Sequence, residues 1–177
     1  VLPFKKFKNE KVFLGPEMKS TGEVMGIDSN IGSAFLKAMR SDGYMVPKTG
    51  TAFLSVSDSD KPRLLSIASK LIKLGFNLIA TKGTYAYLNS NNIECNEIYK
   101  VGEGRPNVVD EILNDNIQIV INSPEGPQSR SDEEAIGRTS VMKNVLTITT
   151  ISGAKAAIDS MKHLNEVNVK ALQEYFE

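Results

Sequence analysis

The sequence predicts an α/β protein with a three-layer fold of the Rossmann or flavodoxin type, in which helices cover both faces of a five-stranded parallel sheet. Two observations predict this class. From residue 51 onward, short apolar runs alternate with stretches whose apolar residues recur at helical spacing. The connections between these elements are only a few residues long, so each crossover has to pack back onto the same sheet. A chain of 177 residues is long enough for one such core with a short appendage.

The first predicted elements are a helix, a strand and a second helix. Residues 29–39 predict a helix because their apolar side chains recur at helical spacing, and Gly43 lies where that helix would end. Residues 52–56, Ala-Phe-Leu-Ser-Val, are typical of a short buried strand. The next helix carries an apolar stripe formed by Leu64, Ile67, Ala68 and Leu71.

The same alternation continues to residue 164. Further apolar runs predict strands over 76–80, 93–99, 117–121 and 145–150. The segments that follow them predict helices over 84–91, 106–114, 132–143 and 154–164. Pro106 suits the first position of its helix, because the N–H group that proline lacks would be unpaired there.

The composition excludes several classes of protein. Twenty-one Lys and Arg residues balance 21 Asp and Glu residues, so no excess charge drives non-specific binding to nucleic acid or anionic lipid. The single cysteine cannot form a disulfide within the chain and has no zinc-ligand spacing around it, which favours a reducing, cytoplasmic setting. The apolar runs are far shorter than the roughly 20 residues that a membrane span needs.

Ligands of such sheets bind outside the carboxyl ends of the strands, so we expect function in the loops that follow them. The loop from Ser55 to Lys61 carries hydroxyls, carboxylates and one cation ahead of a helix. Ser and Asp are ordinary helix caps, but capping does not require Lys61. The next loop, Thr81-Lys82-Gly83-Thr84, suits a phosphate, and a tight strand-to-helix turn would use the same residue types.

The later loops supply further polar candidates. Lys100 and Arg105 follow the third strand, as anion contacts or as the charges of a solvated turn. Asn122 ends the fourth strand, where its amide can contact a ligand or cap its own turn. Thr149 ends the fifth strand, and threonine is common in strands.

The sequence does not predict a catalytic site. His163 is the single histidine, lies on the last helix far from these loops, and is expected at the surface. Cys95 lies within a predicted strand and is expected to be a small packed residue rather than a nucleophile. Nucleophilic Ser-His-Asp catalysis is therefore not supported. We expect a domain with a phosphate-binding rim, no catalytic residues and no metal site, which favours binding over turnover.

The segment from Leu14 to Gly26, LGPEMKSTGEVMG, strongly resembles the end of the second ATP-grasp half of the carbamoyl-phosphate synthetase large chain. Downstream, short motifs resemble in order and spacing the carboxyl-terminal regulatory domain of that family. These motifs are Leu54-Ser55-Val56, Asp60-Lys61, Gly75-Phe76, Ala80-Thr81, Gly83-Thr84, Glu103-Gly-Arg-Pro106, Asn122 and Arg138. The resemblance covers essentially the whole chain. It implies the methylglyoxal-synthase-like superfamily, whose fold is also a five-stranded parallel sheet.

The resemblance implies three segments. Residues 1–28 would be the tail end of the preceding synthetase domain, residues 29–50 a helix and linker, and residues 51–177 the methylglyoxal-synthase-like regulatory domain. The chain opens on Val1-Leu-Pro-Phe4, followed by Lys5, Lys6, Lys8 and Lys11, which is typical of neither a secretory signal nor a transit peptide. We therefore expect it to be a piece of a longer chain.

The function that the resemblance implies is allosteric regulation of glutamine-dependent carbamoyl-phosphate synthase, in arginine and pyrimidine biosynthesis. UMP would inhibit and IMP would activate. Carried over by position, the phosphate and ribose contacts would be Ser55, Lys61, Thr81, Thr84, Lys100 and Asn122. Thr149 would contact ornithine, whose acidic ligands in the family lie upstream of this chain.

The resemblance also implies cofactors and partners. The chain itself would bind no cofactor, whereas its parent would use ATP with Mg²⁺ or Mn²⁺. Its partners would be a nucleoside monophosphate, the upstream synthetase domains and, through the parent, a small glutaminase subunit. Self-association into a homo-oligomer stays open, and neither nucleic acid nor a membrane is expected as a partner.

One departure and several alternatives accompany this interpretation. The family often continues after Asn122 with hydroxyl residues, whereas Pro124 and Glu125 follow here. Pro124 cannot donate a hydrogen bond, and Glu125 would repel a phosphate if it faced the site. One alternative is a structural or oligomerisation module with a vestigial effector site. Another is a lyase of the methylglyoxal synthase type, although its Gly-Gly-Asp loop has no counterpart after Asn122. A third is the cyclohydrolase half of the bifunctional purine enzyme, whose later loops do not match.

Overall fold

The computed structural model describes residues 24–41, 43–123, 130–165 and 168–175. Its helices are α1 (Ile31–Ser41), α2 (Lys61–Lys73), α3 (Lys82–Ser90), α4 (Val108–Leu113), α5 (Arg130–Met142) and α6 (Ile151–Ser160), with short 3₁₀ helices at Met161–His163 and Leu172–Tyr175. Its strands are β1 (Gly50–Val56), β2 (Phe76–Thr81), β3 (Asn96–Ile98), β4 (Ile119–Ser123) and β5 (Leu146–Ile148).

The five strands form one parallel sheet in the order β3-β2-β1-β4-β5. The predicted fold class is therefore confirmed, and the strand order is the one typical of Rossmann folds. The chain builds outward from β1 to β2 and β3, and then crosses back to place β4 on the other side of β1. The strand order reverses between β1 and β4, which is where such sheets open a crevice at their carboxyl ends.

Alternate residues of β1 bury their side chains on opposite faces of the sheet. Ala52 and Leu54 pack into the larger core, which is completed by apolar residues of α2, α3 and α6. Phe53 packs into the smaller core with Val108 and Ile112 of α4 and further residues of α5 and β4. Helix α1 packs on the outside of α6. Both faces of the sheet are thus covered, which explains why its strands read as nearly continuous apolar runs.

The structure moves several predicted element boundaries. The predicted helix over 106–114 begins at Val108, because Asn107 caps it and Pro106 lies outside it. The Asn107 carboxamide oxygen accepts from Asp110 N at 3.3 Å, and the Asp110 carboxylate accepts from Asn107 N at 3.0 Å. This reciprocal arrangement is a capping box, whose signature is a polar cap with an acidic residue three positions later.

Helix α6 and the two edge strands also differ from the prediction. Helix α6 begins three residues early, because the Thr150 hydroxyl accepts a hydrogen bond from Gly153 N at 3.1 Å and caps it. The predicted strands over 93–99 and 145–150 shorten to three paired residues each, because β3 and β5 lie at the sheet edges with one neighbour apiece.

The two residues considered for catalysis contribute to packing. Burial raises the pKa of the Cys95 thiol to about 12, as expected for a packed residue that does not ionise. His163 is half-buried rather than a surface residue. Its ring approaches Gly32 so closely that a side chain at that position would meet it at 2.9 Å.

No helix in the described part of the chain is both long and apolar enough to cross a membrane.

Asp159 of α6 forms an ion pair with Lys70 of α2 and a second one with Lys155 at 2.9 Å. Hydrogen bonds from Lys70 and then from Lys155 hold the pKa of Asp159 below its usual value. A carboxyl whose pKa is lower in the folded than in the unfolded state stabilises the fold above pH 4, and this contribution is lost on further acidification.

We therefore expect Asp159→Asn to lower the free energy of unfolding by about 1 kcal/mol at pH 7. The difference from the wild type should shrink as the pH falls below about 4. Urea unfolding of both proteins between pH 7 and pH 3 measures it. A difference that stayed constant over this range would contradict the role of the charge.

Candidate functional site

Three neighbouring strands end with polar side chains at the same level of the sheet. Ser55 of β1 is in register with Asn122 of β4. On the other side of β1, Leu54 pairs with Ala80, which places Thr81 of β2 beside Ser55. Side chains alternate along strands, so all three project on the same face as Phe53. The Thr81 hydroxyl donates to Ser55 Oγ at 3.2 Å, and we refer to Thr81, Ser55 and Asn122 as the polar row.

The polar row forms the floor of a cleft of about 450 Å³ at the point where the strand order reverses. All six residues predicted as effector contacts lie in its walls. The cleft is lined by Ser55, Val56, Ser57, Asp58, Lys61, Thr81, Gly83, Thr84, Lys100, Val108, Asn122, Asp132, Glu133 and Ile136.

Helix α3 presents its amino terminus to the cleft. Its cap residue, Thr81, has an extended backbone and does not use its side chain to cap the helix. The first-turn N–H groups of a helix have no partner within the helix, and together they carry a partial positive charge. Gly83 and Thr84 of this turn line the cleft. The start of α3 is therefore suited to hold an anion.

Thr84 also connects two of the walls. Its Oγ1 accepts a hydrogen bond from Val56 N at 3.3 Å, across the end of β1. The residue is only 2% exposed. A hydroxyl that accepts this bond can still donate its hydrogen to a ligand. Thr84 thus fixes β1 to α3 and retains one donor, a structural role that the sequence did not indicate.

Lys61 brings its ammonium group to the start of α3. Its side chain is 16% exposed and lies 5.9 Å from the centre of the Tyr87 ring. A Cβ atom at Gly83 would stand 3.6 Å from the Lys61 Nζ atom. The ammonium also forms an ion pair of 2.5 Å with Asp58, which lowers the pKa of Asp58. The exposed Lys100, two residues after β3, supplies the second ammonium group of the cleft.

Three carboxylates share the cleft with these two ammonium groups. Asp58 belongs to the loop after β1, and Asp132 and Glu133 belong to the first turn of α5. In the sequence, Asp58 stands out only as part of a capping segment, and the two α5 residues only as part of a helix. Because α5 follows β4, its first turn lies at the carboxyl end of the sheet, and this topological rule could have identified both residues.

Other predicted residues lie away from the cleft. Thr149 is exposed immediately after β5, whose Ile148 pairs with Ile121, and it does not line the cleft. The Arg105 side chain is 84% exposed and pairs with Asp110 at 3.6 Å. Residues 1–23 of the predicted synthetase segment, together with Pro124 and Glu125, lie outside the described residues. Within the described ranges, no three His, Cys, Asp or Glu side chains are grouped as metal ligands would be.

Comparison with known proteins identifies a family segment. The MGS-like domain family matches residues 63–149. This segment includes α3, β4 and most of the cleft, and it ends at Thr149. Ser55 and Lys61 lie just before it.

Similarity to curated proteins extends over nearly the whole chain. The C-terminal section of the carbamoyl phosphate synthase large chain of Aquifex aeolicus is 46% identical over 99% of this chain and 34% of that protein. The corresponding section from Methanopyrus kandleri is 47% identical over 96% of this chain and 31% of its own length. The carbamoyl phosphate synthase large chain of Acidobacterium capsulatum is 48% identical over 91% of this chain and 15% of its own length. The chain thus spans about a third or less of these relatives.

Proposed function

We propose that the chain is the allosteric region of a carbamoyl phosphate synthase large chain, because residues 63–149 match the MGS-like domain family and nearly the whole chain is similar to such large chains. In this proposal the cleft binds a nucleoside monophosphate. The supporting observation is the convergence on one cleft of the polar row, the start of α3 and the Lys61 ammonium.

The phosphate would occupy the end of the cleft at the start of α3. Backbone N–H groups there, the Thr84 hydroxyl and the Lys61 ammonium are all hydrogen-bond donors, and the Thr81 hydroxyl would join them by turning its hydrogen from Ser55 to the phosphate. A phosphate is an acceptor on every oxygen, and charge-assisted bonds of this kind are about twice as strong as neutral ones. Ser55, Asn122 and Lys100 would complete the contacts to phosphate and ribose.

The two carboxylates of α5 that line the cleft, Asp132 and Glu133, suit the nucleoside end of the ligand. Ionised carboxylates only accept hydrogen bonds, so Asp132 and Glu133 would accept from ribose hydroxyls or from N–H groups of the base. Val108 and Ile136 also line the cleft, but both are almost fully buried and offer a base little apolar surface. The same carboxylates would repel further phosphates, which favours one phosphate over three.

The bound nucleotide would regulate the parent enzyme by shifting a conformational equilibrium that the upstream domains share, a coupling of about 1–3 kcal/mol. We propose UMP as inhibitor and IMP as activator. Thr149, exposed beyond β5, would contribute to an ornithine site completed by the upstream domains. The parent would be a cytoplasmic enzyme of arginine and pyrimidine biosynthesis that uses ATP with Mg²⁺ or Mn²⁺ and a small glutaminase subunit.

Calorimetric titration of the chain with UMP and with IMP tests the binding step. Uridine, which has the same nucleoside and no phosphate, is the matched control ligand. We expect saturable one-site binding of at least one mononucleotide and no detectable binding of uridine at the same concentration. Equal binding of uridine would contradict a phosphate-centred site. The absence of binding by both mononucleotides would leave the structural module with a vestigial site as the better description.

Asp58 is expected to compete with the ligand for Lys61. The Asp58 carboxylate pairs with the Lys61 ammonium that the phosphate would need, and the Asp58 side chain is otherwise exposed to solvent. We therefore expect Asp58→Asn to tighten UMP binding about two- to fivefold, the range for removal of an exposed ion pair. Glu94→Gln removes another exposed carboxylate, which lies outside the cleft, and is the matched control. Weaker binding by Asp58→Asn would show that Asp58 supports the site.

A further inference from the structure

Asp60 lies directly before α2 in the position of a helix cap, but its side chain does not cap that helix. One carboxylate oxygen accepts a hydrogen bond from the Ser123 hydroxyl at 2.8 Å, and the other pairs with Arg63. The hydrogen bond from Ser123, followed by that from Arg63, holds the pKa of Asp60 below its usual value. The Asp60 side chain is largely shielded from solvent, whereas that of Arg63 is exposed.

Two hydrogen bonds join the loop after β1 to Ser123, one through the Asp60 carboxylate and one through the backbone of Ser57. Ser57 N donates to the Ser123 carbonyl at 2.9 Å, just beyond the register pair Val56 and Ser123. Asp60 N in turn donates to the Ser57 carbonyl at 3.1 Å and closes a turn. The loop from 57 to 60 is therefore attached to the end of β4 by one backbone bond and one side-chain bond.

These bonds lie immediately behind the ligand-facing residues. Asp60 precedes Lys61 in the chain, and Ser123 follows Asn122. Because side chains alternate along β4, Ser123 faces the opposite side of the sheet from Asn122. A bond between Asp60 and Ser123 can thus set the distance between Lys61 and Asn122 without entering the cleft.

We propose that Asp60 is a positioning residue, which ties the loop after β1 to the end of β4 and so holds Lys61 and Asn122 at a fixed separation. The inference rests on the proposed function where it concerns ligand affinity, and on the contacts alone where it concerns the loop. Asp60 acts through Ser123 and does not touch the ligand.

The test uses Asp60→Ala, Ser123→Ala, the double variant and Arg63→Ala. Exchange of the Ser57 amide hydrogen, followed by NMR in the ligand-free chain, reports on the loop. UMP titration reports on the site. We expect each single variant at Asp60 or Ser123 to speed Ser57 exchange about tenfold and to weaken UMP binding about tenfold. The double variant should be no worse than either single variant, because both remove the same bond.

Arg63→Ala is the matched control, since it removes the exposed partner of the same carboxylate and should change neither readout. Asp60→Asn retains an oxygen for Ser123 and should recover most of the affinity. Unchanged Ser57 exchange in Asp60→Ala, or losses that multiply in the double variant, would overturn the proposal. If the wild type binds no mononucleotide, the proposed function fails, and the exchange measurement still decides whether Asp60 holds the loop.

Discussion

Replacing Lys61 and Thr84 together by alanine is expected to weaken UMP binding by about a hundredfold or more. The pair supplies the ammonium and one of the hydroxyls at the start of α3. A hydrogen bond to a charged group contributes about 1.5–3 kcal/mol, and each 1.4 kcal/mol is a tenfold change in affinity. Two such losses therefore leave little binding at accessible ligand concentrations.

Calorimetric titration measures this loss, and a matched control separates it from general effects of substitution. Lys73→Ala combined with Ser66→Ala removes the same functional groups from exposed positions of α2 and should leave the affinity unchanged. Thr84→Ser keeps the hydroxyl that accepts from Val56 N and should bind nearly as well as the wild type. Wild-type affinity in the Lys61 and Thr84 double variant would refute a phosphate position at the start of α3.

The largest expected effect on stability comes from Phe53→Ala. Phe53 is fully buried at the centre of β1 and packs against Val108, Ile112 and Ile136 beneath the cleft. Removing a large buried aromatic side chain costs about 3–5 kcal/mol, because apolar burial is lost and a cavity stays behind. The total stability of a single domain is only about 5–15 kcal/mol, so this variant should be close to unfolding.

Urea unfolding of Phe53→Ala provides the measurement. Phe35→Ala is the matched control, because Phe35 on α1 is 36% exposed and should cost about 1 kcal/mol or less. Equal losses for the two variants would contradict the assignment of Phe53 to a closed core.

The fold could be predicted because its signals are local. Short apolar runs identified the strands, and the apolar stripe from Leu64 to Leu71 identified α2. The order of strands could not be predicted in the same way, since periodicity says nothing about which strands are neighbours. The exact start of α4 also required the side-chain contacts of Asn107, which caps the helix, whereas Pro106 was expected to be its first residue.

The candidate site was likewise predictable only in part. The six predicted effector residues came from motif resemblance and from their places after strands, and they line one cleft. Asp132 and Glu133 were missed because a carboxylate in the first turn of a helix is ordinary on its own. It indicates a ligand contact only when the fold places it in the same cleft as the other candidate residues. The bond from Ser123 to Asp60 was missed because it joins residues 63 positions apart and matches no short motif.

The polar row gives the cleft a floor of fixed width. Neighbouring strands are held about 4.8 Å apart by their backbone hydrogen bonds, so Thr81, Ser55 and Asn122 cannot spread or close without breaking the sheet. In the proposed site, ligands of different size would therefore meet the same floor, and only the loops and helix starts above it could distinguish them. If the proposed effector binds there, substitutions in those loops would change its preference while the core and its stability stay as they are. Because the sheet fixes the width of the floor, selectivity between ligands could evolve without a change in the fold.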